Sequence, residues 1–330
     1  SSTIPTTGSG RKLINFSADY HKATRVASGE IIDLISKHNP GFLGGSADLT
    51  TSTKAKGADG NFSKENRLGR NINFGVREHA MAAITNGIAL HGGLKPFCSG
   101  FFVFSDYMKP AIRLAAIMSL PVIYVFTHDS IAVGEDGPTH QPIEQLTMLR
   151  SIPRLNVIRP ADANETKVAW DLAYHSQHNP TAIILTRQDV DMVTTEAEAQ
   201  KLQFGAYILA HERERLDGIL IASGSEVKLA LEAKGRLLEM GFDVRVVNMP
   251  SIELFEKQSL QYRQDVLPPA IESKVAIEMS EGAHYYKYLG NKGKLVNIQR
   301  FGLSGKYQEL VPNFGFSVEA IVEAFKETRR

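Results

Sequence analysis

Glu78 lies in the stretch Asn71-Ile72-Asn73-Phe74-Gly75-Val76-Arg77-Glu78-His79-Ala80-Met81, followed by Ala82, Ile84 and Ile88 at helical spacing. The pattern predicts a short strand over 71–74, a break at Gly75 and a helix with a carboxylate in its first turn. In an open α/β sheet that junction faces the ligand crevice at the carboxyl ends of the strands. Taken alone, a first-turn carboxylate is explained as well by the helix dipole. Its company elsewhere in the chain decides for chemistry.

Four further stretches hold more reactive residue types than packing needs. In Gly44-Gly45-Ser46-Ala47-Asp48-Leu49-Thr50-Thr51-Ser52, glycines allow close backbone approach at a strand end, and Asp48 and Ser52 offer polar tips; a side-chain-capped turn explains the same residues. Phe101, Phe104 and Tyr107, three apart, could wall a flat heteroaromatic ligand or pack in a core. Thr127 to Pro142 gathers His128, His140, three acids and three hydroxyls just past an apolar run, where sheet topology places ligands. Thr186-Arg187-Gln188 puts an arginine at another strand end, suited to a phosphate, a carboxylate or a structural ion pair. No Cys pattern or His-x-x-x-His accompanies His128, Asp136 and His140, so no metal site is assigned to them. No P-loop or Gly-x-Gly-x-x-Gly opens a helix, which argues against nucleotide hydrolysis and dinucleotide chemistry.

The elements that must position these groups alternate. Helices are expected over 20–36, 105–119, 143–150 and 162–178, and strands over 42–46, 95–100, 122–127, 155–158 and 181–186. The polar segment 48–70 is long for a connection and therefore a candidate functional loop. Alternation predicts a mostly parallel sheet with helices on both faces and right-handed crossovers. The pattern fails over 190–202, read as a linker. A second α/β unit follows, with strands over 218–222, 244–248, 274–279 and 295–298 and helices over 226–240, 258–267 and 317–326. The expected organisation is a tail over 1–11, a first domain over 12–190, a linker over 191–205 and a second domain over 206–330.

The chain has 330 residues, a net charge of +1 and 22% charged residues, which points to neither a nucleic-acid nor a membrane partner. Its one cysteine, Cys98, excludes an internal disulfide and suggests a reducing compartment. Without a signal-like or membrane-length apolar run, a cytoplasmic location is expected.

Gly44 to Ser52, Gly75 to Met81, His128 to Pro142, Arg159-Pro160-Ala161-Asp162 with Asn164-Glu165, and Arg187-Gln188 stand in an order and spacing that resemble transketolase, from about Lys12 to the end. The resemblance implies a pyrimidine-binding domain followed by a transketolase C-terminal domain, with thiamine diphosphate as cofactor. By that resemblance Glu78 matches the glutamate that hydrogen-bonds N1′ of the aminopyrimidine and favours the imino tautomer, through which the cofactor acts as its own base. Phe101, Phe104 and Tyr107 match the wall around the pyrimidine. His140 matches a histidine near the reacting oxygens, and Asp136 a residue that reads a sugar hydroxyl. Arg25, Ser52, His128 and Arg187 match the group that holds the sugar phosphate. Asp48 matches an acid near the cofactor at a subunit interface.

The diphosphate-binding N-terminal domain of that family has no counterpart here. Gly57-Ala58-Asp59-Gly60-Asn61 resembles its Gly-Asp-Gly motif only superficially and is read as a turn. Mg²⁺ (or Ca²⁺) is therefore expected to be bound mainly by a partner chain. The expectation is the C-terminal subunit of a split transketolase, self-associating through its pyrimidine domain in a two-fold heterotetramer. It would move a two-carbon ketol unit from xylulose 5-phosphate to ribose 5-phosphate or erythrose 4-phosphate. The alternatives are a fragment of a longer transketolase, dihydroxyacetone synthase, or a non-catalytic partner-binding paralogue; a 2-oxo acid dehydrogenase β subunit and 1-deoxyxylulose 5-phosphate synthase fit the Asp48 to Ser52 and His128 to His140 blocks less well.

Overall fold

The computed structural model describes residues 14–330; the expected tail over 1–11 lies outside the described residues. Helix α1 (Thr24–His38) leads into strand β1 (Phe42–Ser46), the one-turn helix α2 (Thr50–Thr53) and strand β2 (Asn71–Asn73). Then follow α3 (Glu78–His91), β3 (Lys95–Phe101), α4 (Ser105–Ile117), β4 (Ile123–Thr127), α5 (Gln145–Arg150), β5 (Asn156–Ile158), α6 (Ala163–His175) and β6 (Thr181–Leu185). The six strands form one parallel sheet in the order β2-β1-β3-β4-β6-β5. This is the α/β, mostly parallel architecture that alternation predicts.

Side-chain alternation explains why both faces are covered. Along β4, Ile123 and Val125 join Ile32, Ile35 and Trp170 of α1 and α6, while Tyr124 and Phe126 join Met81, Met108 and Ile112 of α3 and α4. A strand buried on both faces must be apolar throughout, as Ile123–Thr127 is. In β1 the glycines serve the sheet itself: a Cβ at Gly45 would lie 1.9 Å from the Ile72 carbonyl oxygen, and one at Gly44 2.3 Å from that of Phe97. The close approach anticipated there is thus to neighbouring strands. The 57–61 segment is a turn, with Asp59 accepting from Arg70 Nε at 2.6 Å and left-handed φ at Asp59 and Gly60.

The stretch expected as a linker is folded. Thr195 and Glu198 form a reciprocal capping box at α7 (Glu196–Ala199), and Ala199 and Leu202 enter the core around Trp170. The second unit contains β7 (Tyr207–Ala210), β8 (Gly218–Ala222), α8 (Glu226–Glu239), β9 (Val244–Asn248), α9 (Ile252–Glu256), α10 (Leu260–Val266), β10 (Lys274–Ile277), α11 (Tyr286–Leu289), β11 (Lys294–Val296), α12 (Tyr307–Asn313) and α13 (Val318–Glu327). Its sheet runs β11-β10-β8-β9-β7, with only β7 antiparallel. Strand β7 and helices α9, α11 and α12 were not expected.

The units meet across a buried polar seam. Arg159, just past β5, lies 2.8 Å from Asp129 and 2.9 Å from Glu226 at the head of α8. Arg150 and His284 both pair with Glu278, at 3.0 and 3.1 Å. Glu165 of α6 accepts from Tyr207 Oη at 2.8 Å and Asn248 Nδ2 at 2.9 Å.

Candidate active site

Because all six strands are parallel, their carboxyl ends share one edge, and the chain spends its reactive residues there. Asp48 follows β1, Glu78 follows β2, Phe101 ends β3, His128 follows β4 and Arg187 follows β6. This edge is where open α/β sheets bind ligands.

At its centre lies a cationic recess. Thr24 N–H donates to Thr186 Oγ1 at 3.0 Å and Thr186 N–H to Thr24 Oγ1 at 2.8 Å, tying the start of α1 to the end of β6. The next residues, Arg25 and Arg187, are thereby brought close enough that burial, followed by the Arg187 charge, lowers the Arg25 pKa. Arg25 Nη1 donates to the Ser52 carbonyl at 2.5 Å, whereas its buried Nε has no hydrogen-bond partner. Among the described residues, neither arginine forms an ion pair. His128, 4% exposed, completes the recess; burial, then Arg25, Arg187 and His140, push its pKa down to about 3. Thr127 Oγ1 lies 2.8 Å from His128 Nδ1, and a hydroxyl donating there leaves the ring proton on Nε2. Two guanidiniums, a neutral imidazole and an orphaned N–H are a receptor for an anion with several oxygens.

The aromatic residues form a continuous wall beside the recess. Phe101 stacks on His128 with centroids 3.7 Å apart, and Phe101 and Phe104 are nearly parallel, 8° between planes at 6.2 Å. Tyr107 continues the row 6.2 Å from Phe104 and is 63% exposed. His140 meets Phe104 edge-on at 5.5 Å, its Nδ1 2.8 Å from Thr139 Oγ1. A core cluster would bury all three rings; this row grades from buried to open, as a wall of a ligand cleft does.

Glu78 is half-buried in the first turn of α3, with no side-chain cap from Arg77. Asp48 is exposed with φ 58°, and the turn there is closed by Ser46 Oγ accepting from Leu49 N–H at 3.0 Å. Asp136 is exposed on the loop after β4. Among the described residues, no hydrogen bond or ring contact joins Glu78, Asp48 or Asp136 to the recess, and no group of three or more His, Cys, Asp or Glu could hold a metal ion. Sequence reasoning missed the Thr24–Thr186 tie and the part played by Asp129, whose carboxylate accepts from Arg159 Nε at 2.9 Å.

The two units correspond to a pyrimidine-binding domain and its companion: the family model described as "Transketolase, pyrimidine binding domain" matches residues 21–192, and "Transketolase-like TK C-terminal domain" matches 205–317. The chain belongs to the transketolase family, whose cofactor is thiamine diphosphate. The transketolase of Halalkalibacterium halodurans is 51% identical over 308 residues, covering 92% of this chain and 46% of that protein. The structure of transketolase from Leishmania mexicana superposes with a TM-score of 0.90 at 41% identity, covering 97% of this chain and 47% of that one. The chain thus spans about half the length of these relatives. A structure described as a split gene transketolase, inactive β4 tetramer, superposes with a TM-score of 0.76 at 25% identity, covering 93% of this chain and 98% of that one.

Proposed function

We propose that the chain is the C-terminal subunit of a split transketolase, which with a diphosphate-binding partner transfers a two-carbon ketol unit from xylulose 5-phosphate to ribose 5-phosphate or erythrose 4-phosphate. The observation that carries this reading is the recess of Arg25, Arg187 and His128 beside the Phe101–Tyr107 wall: it suits a phosphate next to a flat heterocycle. Thiamine diphosphate would supply the nucleophilic carbon and electron sink for breaking and making the carbon–carbon bond. Glu78 would hold a proton at the pyrimidine nitrogen, with Phe101, Phe104 and Tyr107 packed on the ring and Asp48 nearby where another chain meets this one. His140 would hand a proton to and from the sugar oxygens, Asp136 would bind a sugar hydroxyl, and Arg25, Ser52, His128 and Arg187 would anchor the phosphate. The Mg²⁺ would belong mainly to the partner, and the location would be cytoplasmic.

The outer faces of α3 and α4 support a site shared between chains. Val76 just ahead of α3, Ile84 on α3 and Leu114 and Ile117 on α4 are 78, 50, 51 and 54% exposed, apolar side chains suited to contact with a second copy or the partner. The split-gene relative of matching extent supports a separate partner chain.

The test is to purify the chain with its partner and assay ketol transfer with thiamine diphosphate and Mg²⁺. Glu78→Gln should reduce turnover at least a hundredfold, the usual scale for losing a general acid–base contact, while leaving the melting temperature near that of the parent. Undiminished turnover in that variant would sink the assignment. Ketol transfer by the chain alone would remove the need for a partner.

A further inference from the structure

The loop after β4 is held from the other domain. Gln141, 2% exposed, uses one amide nitrogen twice: Nε2 donates to the Gly134 carbonyl at 2.8 Å, across the loop, and to the Leu303 carbonyl at 2.8 Å, across the domain boundary. Gly134 O also accepts from Gly137 N–H at 3.0 Å, and Gly137 O from His140 N–H at 3.0 Å, so a ladder of two turns links the Gln141 anchor to His140. On the far side Ser304 Oγ donates to the Glu135 carbonyl at 2.6 Å, immediately before Asp136.

The fit leaves no slack. Gly134 has φ 85° and ψ −119°, open to glycine alone, and a Cβ there would lie 3.2 Å from Gly305 O. A Cβ at Gly302 would lie 1.6 Å from Gln141 Oε1 and 2.7 Å from its Cδ, so any side chain at 302 must push the anchoring amide away.

We propose that Gln141 is a positioning residue, and that the Gly302–Tyr307 segment of the C-terminal domain, through Gln141 and Ser304, sets where Asp136 and His140 meet the sugar. The inference rests on the reading of this loop as a sugar-binding element, and it gives the C-terminal domain a part in substrate recognition. Neither Gln141 nor Ser304 touches the substrate. Both act on the backbone that carries the residues that do.

The test uses Gln141→Leu, Gly302→Ala and the milder Ser304→Ala in the full chain, read in two ways. Amide hydrogen exchange should speed up about tenfold or more over residues 131–142, the signature of local opening, with no change in β3, β4 and β6. In the reconstituted complex, KM for the ketose phosphate should rise about tenfold or more, as a misplaced contact predicts, with thiamine diphosphate affinity within twofold of the parent. Unchanged exchange over 131–142 in all three variants would overturn the proposal. So would a loss of cofactor affinity and stability in parallel with KM, which is what a merely structural role produces. An inactive parent complex with the exchange effect intact would instead overturn the functional reading and leave the anchoring established.

Discussion

Arg25 and Arg187 are drawn together by two threonine hydroxyls that exchange hydrogen bonds with backbone N–H groups, and the nearby Asp189 offsets their repulsion only in part, since the Arg25 pKa is still lowered. Such a juxtaposition costs energy until an anion arrives. Arg187→Ala should therefore raise KM for phosphorylated sugars roughly tenfold, about 1.5 kcal/mol for a lost charged hydrogen bond, and leave short unphosphorylated acceptors unaffected; an equal loss on both would show that Arg187 does not read the phosphate. His128 obeys the same field. Its folded pKa near 3 lies below the usual 6.5, so from this group stability falls as pH drops below about 6.5, where the unfolded imidazole takes a proton that the folded one refuses. The residue types were legible because a histidine and an arginine at strand ends stand out. The Thr24–Thr186 pair was not, since nothing local marks two threonines 162 positions apart as partners.

At the scale of elements, β1, β8 and β9 fall where apolar runs and flanking glycines place them, whereas several helices begin a residue or two later than periodicity suggests. The reason is capping: Asp162, Ser259 and Ser317 accept backbone N–H bonds and stand outside α6, α10 and α13. Strand β7 escaped notice although Tyr-Ile-Leu-Ala is apolar throughout, because a four-residue run shows no period that separates strand from helix, and as an edge strand it buries only Tyr207. What fixes it is distant. Tyr207 Oη bonds Glu165 in the first turn of α6, and burial, then the charge of Asp162, raises the Glu165 pKa to about 7. A carboxyl raised from 4.5 to about 7 contributes stability that is present below about pH 4.5 and lost as pH rises through 7, up to about 3 kcal/mol. Glu165→Gln should flatten the fall in melting temperature between pH 5 and 8; an unchanged slope would mean that another group titrates.

The molecule as a whole is joined by charges that have left water. Arg159 is 1% exposed and surrounded by Asp129, Glu226 and the Ser223 carbonyl, with its pKa raised well above the arginine range despite full burial, because Glu226 and Asp129 outweigh the desolvation. Arg159→Met would strand those two carboxylates and should cost about 3–5 kcal/mol in denaturant unfolding, more than loss of a surface pair would; a cost under 1 kcal/mol would show that water reaches the seam. The sequence displays two α/β units with a polar stretch between them, read as an interdomain linker. In the structure Ala199 and Leu202 of that stretch pack into the first core, and Arg159 pairs with Glu226 across the boundary.

That seam also constrains heredity. A recombination event that cut between residues 191 and 205 would part Glu226 from Arg159 and Glu278 from Arg150, and would open to water groups that the intact chain keeps dry. The two domains are therefore a single cassette for fission, fusion or horizontal transfer, and breakpoints that evolution tolerates fall outside the pair.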